Sequence, residues 1–138
     1  MKLLLLNGVN MNMLGRRDVA LYGSDTLEEL ENKIRRYAAS LGIEVECRQH
    51  NCEGALVEEL QNTNADGVIL NAGAYSHYSI ALRDCIECIS VPVAEVHMTD
   101  ISKREPFRRT DVLKEVCAGY FCGKGIESYM EAVRFFAK

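Results

Sequence analysis

The sequence predicts an α/β domain in which a five-stranded parallel sheet is covered by helices on both faces. Short apolar runs alternate along the chain with segments whose apolar residues recur at helical spacing. This order is typical of parallel strands joined by right-handed crossover helices. Most of the apolar runs are continuous, as in strands that are buried on both faces. With 138 residues, the chain has the length of one domain, which we place at residues 1–138.

The first half of the chain contains the clearest element signals. An uninterrupted leucine run at 3–6 predicts a buried first strand. Thr26 and Glu29 have the spacing of a capping box, and the apolar stripe behind them predicts a helix over 26–41. Apolar and charged residues alternate at 43–47, which indicates an edge strand with one exposed face.

The rest of the chain continues the alternation of helix and strand. The apolar runs are short and β-branched, whereas the intervening segments carry apolar residues three and four positions apart. The predicted helices lie at 54–61, 79–88 and 125–137, and the predicted strands at 68–70, 91–96 and 116–121.

Composition excludes several classes of function. The net charge is -4 and no Lys/Arg stripe is present, so we expect no nucleic-acid partner. No window reaches the roughly 18 apolar residues of a membrane span, and the leucine run is too short for a signal peptide. We therefore expect a cytoplasmic protein with reduced cysteines. Cys85 and Cys88 form a C-x-x-C pair without a matching second pair, so a zinc or redox site is only a minor alternative.

Chemically active side chains follow the predicted strands at their carboxyl ends, where ligands bind in open parallel sheets. No glycine-rich dinucleotide or phosphate loop accompanies them, so a nucleotide cofactor is not expected. The candidates are Asn10, Arg17 and Tyr22 after the first strand, Asn71 and His77 after the third, and Glu95, His97 and Arg108 around the end of the fourth.

Two pairs among these residues suggest acid–base chemistry. A tyrosine needs a nearby cation to act as a base at neutral pH, and Arg17 lies in the same glycine-bounded loop as Tyr22. His97 is two residues from Glu95, so on a strand both side chains share one face and the carboxylate can orient an acidic imidazole. Each residue also has a structural interpretation: Tyr22 in packing, His97 bonded to backbone, and the asparagines as caps or turn braces.

Nine motifs in order resemble the type II 3-dehydroquinate dehydratases, and the resemblance runs from residue 6 to residue 129. Each motif is a weak signal by itself, but their order and their positions at strand ends are specific. They are N-G-V-N at 7–10, L-G-R-R at 14–17, L-Y-G-S at 21–24, C-R-Q-H-N-C-E-G at 47–54, N-A-G-A-Y-S-H at 71–77, A-L-R-D at 81–84, V-P-V-A-E-V-H at 91–97, R-E-P-F-R at 104–108 and C-A-G-Y-F-C-G-K-G at 117–125.

The resemblance implies a flavodoxin-like fold and the anti elimination of water from 3-dehydroquinate in the shikimate pathway, through an enolate and without metal or organic cofactor. It implies that Tyr22 is the base, made a phenolate by Arg17, and that Asn10 holds a water against the enolate oxygen. His97 would be the acid, oriented by Glu95. The segment 10–24 would be a mobile lid.

The resemblance also implies how substrate is held and how subunits assemble. The implied substrate contacts are Asn71 and His77 at the C1 hydroxyl, Met98 and Thr99 at the carboxylate, Arg108 at the ring hydroxyls, and Asp84 in the site of a neighbouring subunit of a dodecamer built from trimers. The chain departs from the family pattern at Val9 and at Asp100. A charge at Asp100 is expected to repel the substrate carboxylate if it points into the site.

A non-catalytic flavodoxin-like module that binds a small anion or a protein partner is the alternative from another functional class. A flavin or phosphoacceptor domain of the same architecture would require a phosphate-binding loop or an acidic cluster after the first strand. The segment N-G-V-N at 7–10 provides neither.

Overall fold

The computed structural model describes residues 1–138 and contains one sheet of five strands. No helix in it is both long and apolar enough to cross a lipid bilayer. The strands are β1 (Lys2–Asn7), β2 (Glu44–Gln49), β3 (Gly67–Asn71), β4 (Val93–His97) and β5 (Gly119–Cys122). The helices are α1 (Val19–Tyr22), α2 (Leu27–Ser40), α3 (Glu53–Asn62), α4 (Ile80–Cys88) and α5 (Ile126–Ala137).

The strand order is β2-β1-β3-β4-β5, and all four neighbouring pairs are parallel. This is the order of flavodoxin-like folds, whose ligands bind where the winding direction reverses between β1 and β3. The predicted fold class is confirmed. The strand predicted from its alternating pattern, β2, lies at the edge of the sheet.

Alternate residues of the inner strands face two separate apolar layers. Leu3 and Leu5 belong to the layer formed with α2 and α5, whereas Leu4 and Leu6 belong to the layer formed with α3 and α4. All four leucines are almost completely buried. The continuous apolar run of β1 is thus explained by helices on both faces of the sheet.

The helix α2 begins at the predicted capping box. The Thr26 hydroxyl accepts a hydrogen bond from the Glu29 N–H at 3.2 Å, and the Glu29 carboxylate accepts one from the Thr26 N–H at 3.1 Å. Leu30, Ile34 and Ala38 form its buried stripe. Local capping and periodicity therefore agree with the tertiary packing of this helix.

Both strands of the C-terminal half begin later than their apolar runs. The run predicted at 91–96 forms a strand only from Val93, because Pro92 has no N–H to donate to a neighbouring strand. The run predicted at 116–121 forms a strand only from Gly119, since Lys114–Val116 makes a 3₁₀ turn. Val116 donates to the Leu113 carbonyl in that turn at 3.0 Å and is thereby removed from the ladder.

A buried hydrogen-bond chain joins the carboxyl ends of β1 and β3 to α5. The Tyr129 hydroxyl donates to the Asn7 side-chain oxygen at 2.6 Å and accepts from the Asn71 side-chain amide at 2.8 Å. Tyr129 is fully buried, and so is Asn7. This chain fixes the strand ends from which the loops with the candidate residues depart.

Gly8 follows β1 and lies against the backbone of Ala72, which follows β3, so replacing it should destabilise this edge of the sheet. A Cβ at Gly8 would lie 2.5 Å from the Ala72 carbonyl oxygen, which belongs to the backbone and cannot rotate away. We expect Gly8→Ala to lower the free energy of unfolding by about 1–3 kcal/mol, measured by urea denaturation.

Gly54→Ala is the matched control for this prediction. Gly54 lies in α3, and an added Cβ there meets only the Cys52 sulfur, at 3.9 Å. Alanine is the better helix former by about 0.5–1 kcal/mol, so Gly54→Ala should leave stability unchanged or raise it. Equal effects of the two substitutions would contradict the steric explanation for Gly8.

Candidate active site

A cavity of about 230 Å³ opens at the carboxyl ends of β1, β3 and β4. Nine of the eleven candidate residues line this cavity. Arg104 and five residues that are mostly apolar or small complete its lining. The candidates are Asn10, Arg17, Tyr22, Asn71, His77, His97, Met98, Thr99 and Arg108, and the other lining residues are Val9, Met11, Gly73, Ala74 and Ile101.

The loop after β1 brings Asn10 to the cavity through an unusual backbone conformation. Asn10 is the only non-glycine residue with a positive φ, at 68°. Asparagine tolerates this left-handed conformation better than most residues. Its N–H donates to the Asn51 side-chain oxygen at 3.0 Å, and its own side chain does not cap the 3₁₀ turn Met11–Met13. The amide group is therefore available to the cavity.

Tyr22 lies between two arginines from different parts of the chain. The Arg17 guanidinium carbon is 3.8 Å from the centre of the Tyr22 ring, so this arginine lies against the ring face. The group that donates to the phenol oxygen is Arg104, at 3.2 Å. The sequence pointed to Arg17 because this residue is close to Tyr22 in the chain. It assigned no role to Arg104, although R-E-P-F-R at 104–108 was among the motifs.

Tyr22 is the last residue of the short helix α1, where the sequence predicted only a loop. Asp18 caps this helix by accepting from the Ala20 N–H at 3.0 Å. Four residues are too few for a recognisable apolar period, so only the capping residue could have revealed the helix. Val19 and Leu21 remain exposed, and the helix is therefore held mainly through Tyr22.

His97 ends β4 and is bonded to Glu95 beneath the cavity floor. The distance between the His97 Nε2 atom and the nearer Glu95 oxygen is 2.6 Å. Burial raises the pKa of Glu95 to about 8. Burial acts to lower the pKa of His97, but hydrogen bonds to Asp111 and Glu95 outweigh it and raise this pKa to about 9. The raised pKa favours a protonated imidazole at neutral pH, which is the form that a general acid requires.

Asn71 and His77 follow β3 and are both anchored to the protein. The Asn71 amide donates to Tyr129, while its oxygen accepts from the Gly73 N–H at 3.1 Å. His77 uses Nδ1 to contact the Thr110 carbonyl oxygen at 2.9 Å, which makes Nδ1 the protonated ring nitrogen. The Nε2 atom of His77 is then an acceptor that is free to face the cavity.

The segment after His97 forms another wall of the cavity. The Thr99 hydroxyl accepts from the same Arg104 guanidinium that contacts Tyr22, at 3.2 Å. Asp100 is absent from the lining, because its carboxylate accepts hydrogen bonds from the N–H and hydroxyl of Ser102. The charge at Asp100 therefore does not point at a ligand in the cavity.

Asp84 and Glu95 are the two candidates that do not line the cavity. Glu95 lies behind His97 and acts on the cavity only through it. Asp84 is exposed on α4, on the outer surface of the chain. No hydrogen bond or ion pair within the chain joins Asp84 to another candidate residue.

Asp111 completes the environment of His97 and was not selected from the sequence. Its carboxylate is 3.6 Å from the His97 Nε2 atom and its side chain is only 7% exposed. The ligand atoms of Glu95, His97 and Asp111 lie within 4.8 Å of one another, as in some metal sites. However, two ligands of a tetrahedral zinc ion lie about 3.3 Å apart, so the 2.6 Å His97–Glu95 contact fits a hydrogen bond better.

Comparison with known proteins agrees with this geometry. The family model described as "Dehydroquinase class II" matches residues 1–137. A protein of Pelotomaculum thermopropionicum named 3-dehydroquinate dehydratase is 45% identical over 97% of this chain and 94% of its own length. One of the same name from Thermotoga maritima is 43% identical over 100% and 96% of the two chains.

Solved structures show the same relationship in three dimensions. The crystal structure of the type II dehydroquinase from Butyrivibrio crossotus superimposes with a TM-score of 0.97 at 40% identity, covering 100% of this chain and 98% of that one. The type II dehydroquinase from Propionibacterium acnes gives a TM-score of 0.91 at 33% identity, over 99% and 95% of the two chains. The chain belongs to the class II dehydroquinase family.

Proposed function

We propose that this protein is a 3-dehydroquinate dehydratase, a lyase that converts 3-dehydroquinate into 3-dehydroshikimate and water. The names of its relatives and its family support this reaction. The observation that carries the proposal is that a tyrosine in contact with two arginines and a protonated histidine line the same cavity. These are the base and the acid that an elimination of water requires.

In the first step, Tyr22 removes a proton from C2 of the substrate, next to the C3 carbonyl. The electron pair of the broken C–H bond moves to the carbonyl oxygen and forms an enolate. Arg104, through its hydrogen bond, and Arg17, on the ring face, stabilise the phenolate that accepts the proton. Asn10 holds a water at the enolate oxygen, which reduces the free energy of the intermediate.

In the second step, the enolate collapses and the bond between C1 and its hydroxyl oxygen breaks. His97 donates its proton to that oxygen, so the hydroxyl leaves as water and a double bond forms between C1 and C2. Nδ1 is the ring nitrogen that makes no hydrogen bond within the protein, since Nε2 is bonded to Glu95. The acid and the base act on opposite faces of the substrate, which gives the anti stereochemistry.

The remaining polar groups position the substrate. Asn71 and His77 bind the C1 hydroxyl, with Nε2 of His77 as an acceptor. The backbone of Met98 and Thr99 binds the carboxylate, and Arg108 contacts the ring hydroxyls. Each of these residues lines the cavity, and Asn71 and His77 are additionally held in place by Tyr129 and by the Thr110 carbonyl.

The segment 10–24 acts as a lid that brings the base to the substrate. Its tip is exposed at Val19 and Leu21, so few contacts oppose its movement. When the lid is closed, Tyr22 meets Arg104, which belongs to the segment after β4. Closure therefore completes the environment of the base and also excludes water from the cavity.

The active enzyme is an oligomer, for which we propose a dodecamer built from trimers, with Asp84 completing the site of a neighbouring subunit. Ile80 and Asp84 are four residues apart on α4 and therefore share one face of the helix. Ile80 is 55% exposed and the nearby Tyr78 is 61% exposed, which is costly for apolar side chains unless another subunit covers them.

We place the enzyme in the cytoplasm and in the shikimate pathway, which leads to aromatic amino acids. All six cysteines are free in the structure, as is usual in a reducing compartment. The proposed reaction and the residues that carry it out are the same whether the pathway builds aromatic compounds or degrades quinate.

The reaction can be tested directly with purified protein and 3-dehydroquinate. We expect ultraviolet absorbance to rise as the conjugated enone of 3-dehydroshikimate forms, and to rise at the same rate when a chelator is present. No change in absorbance at high enzyme concentration would contradict the proposed function. It would favour the non-catalytic module that binds a small anion or a partner.

Replacing Tyr22 by phenylalanine removes only the phenol oxygen, so it tests the base. We expect Tyr22→Phe to fold and assemble normally but to lower kcat by about 10²–10⁴-fold, the usual contribution of a proton-transfer group. Tyr37→Phe is the matched control, because the Tyr37 hydroxyl also accepts from an arginine, Arg134 at 3.0 Å, far from the cavity. Retention of turnover by Tyr22→Phe would show that another group is the base.

Mixed oligomers test whether Asp84 serves a neighbouring site. Separately, Asp84→Ala and Tyr22→Phe should each be poorly active. When the two variants are unfolded and refolded together, some sites combine an intact Tyr22 with an intact Asp84 from the adjacent subunit. We expect activity well above the sum of the separate variants. Activity equal to that sum, or a monomer of 15.5 kDa in analytical ultracentrifugation, would refute the shared site.

A further inference from the structure

Three ionisable side chains form a buried cluster behind the cavity floor. Glu95 and His97 come from β4, and Asp111 comes from the segment between the 3₁₀ turns Pro106–Arg108 and Lys114–Val116. Their side chains are 0%, 6% and 7% exposed. The His97 Nε2 atom is 2.6 Å from Glu95 and 3.6 Å from Asp111, so one ring nitrogen faces both carboxyl groups.

The orientation of Asp111 is fixed by its own turn. One carboxylate oxygen accepts hydrogen bonds from the N–H groups of Leu113 and Lys114, at 2.8 and 3.2 Å. Leu113 is completely buried, which anchors this turn in the apolar layer of α3 and α4. The second oxygen, Oδ2, is consequently turned toward Glu95 and His97.

Two oxygens of the cluster lack a hydrogen-bond partner when both carboxyl groups are ionised. They are Oδ2 of Asp111 and Oε1 of Glu95, and both are buried. Unpartnered buried oxygens are strongly unfavourable, and two carboxylates in one buried site repel each other. A proton on one carboxyl group resolves both problems, because that group then donates to the other.

The titration behaviour of the cluster agrees with a proton on Glu95. Burial raises the pKa of Glu95 to about 8, and Asp111 contributes to this shift. Burial acts to raise the pKa of Asp111 as well, but hydrogen bonds from His97, Glu95 and the Leu113 N–H lower it to about 2. These shifts favour an ionised Asp111, a neutral Glu95 and a protonated His97 at neutral pH, an arrangement with no net charge.

We propose that Asp111 is a positioning residue for the proposed dehydratase, because it holds a proton on Glu95 and provides the carboxylate that keeps His97 in its acidic form. This role rests on the proposed function of His97 as the acid. Glu95 then orients the His97 imidazole through a hydrogen bond, whereas the Asp111 carboxylate compensates the positive charge of that imidazole.

Three other titratable side chains lie beside the cluster, and burial raises the pKa of two of them. On the sheet side are Cys117, whose pKa burial raises to about 12, and Tyr120, whose ring centre is 5.9 Å from that of His97 and whose pKa burial also raises. Cys122 of β5 is the partner of His97 in the ladder.

Cationic groups face the cluster from two sides and oppose a positive charge on His97. Arg104 and Arg108 line the cavity with it, and the Lys114 amine lies 4.5 Å from the centre of the Tyr120 ring. A second carboxylate near the imidazole offsets their repulsion, which explains why one carboxyl group is not sufficient.

Asp111→Asn tests this role with little change in shape. The Asn oxygen still accepts from Leu113 and Lys114, while the new amide N–H donates to Glu95 and lets it ionise. Once Glu95 is ionised, His97 titrates beside one carboxylate in this variant but beside two in the unsubstituted protein. We therefore expect the pKa of His97 to fall by about one unit, which is a tenfold change in its acid dissociation constant. Nuclear magnetic resonance titration of the His97 ring nitrogens and the Glu95 carboxyl carbon measures both changes without substrate.

The pH profile of turnover should move in the same direction. His97 must be protonated to act, so the rate falls as pH rises through its pKa, and a lower pKa shifts this alkaline limb to lower pH. Below the limb, kcat should stay within about twofold of the unsubstituted enzyme, and KM should hardly change at any pH. Glu131→Gln, which breaks only a surface pair with Lys124, is the matched control and should leave the profile in place.

Two results would overturn the proposal. The first is an Asp111→Asn protein in which the pKa values of His97 and Glu95 are unchanged. Asp111 would then only stabilise its turn, and Asp111→Ala would lower the free energy of unfolding without shifting the pH profile of turnover. The other is a Glu95 that is already ionised at pH 7 in the unsubstituted protein. Failure of the proposed function is distinguishable, since it abolishes turnover at every pH but leaves both magnetic resonance titrations unaffected.

Discussion

The hydrogen-bond chain from Asn7 through Tyr129 to Asn71 is the constraint on which the site depends. It joins two adjacent strand ends and the last helix through side chains that are fully or almost fully buried. In a buried environment each of these polar groups needs its partner, because an unpaired donor or acceptor is costly. The spacing of the loops after β1 and β3 is thereby fixed, and so is the width of the cavity between them.

The proposed acid and the proposed base are held in contrasting ways. His97 and Glu95 belong to a central strand, and their positions are set by the sheet and by Asp111. Tyr22 belongs to a four-residue helix on an exposed segment and is held by arginines. A rigid group thus faces a movable one across the same cavity. This division is consistent with a reaction in which a proton is removed first and the leaving group is protonated afterwards.

The sequence was sufficient to predict the sheet and most of the cavity lining, because apolar runs mark buried strands and parallel strands place their carboxyl ends at one edge. It did not lead to Arg104, whose contact with Tyr22 joins residues 82 positions apart. It did not lead to Asp111 either, since a lone aspartate after R-E-P-F-R is typical of a turn. Both residues act through tertiary contacts that leave no local pattern. The start of β5 was misplaced for a related reason: a 3₁₀ turn competes with the strand for the same apolar residues.

The two arginines that contact Tyr22 come from different segments of the chain, one in the proposed lid and one after β4. Substitutions in the exposed part of this proposed lid can therefore alter how Tyr22 is held, while the position of His97 on the sheet stays the same. A site of this construction allows one of its two proposed proton-transfer groups to change its mobility without moving the other.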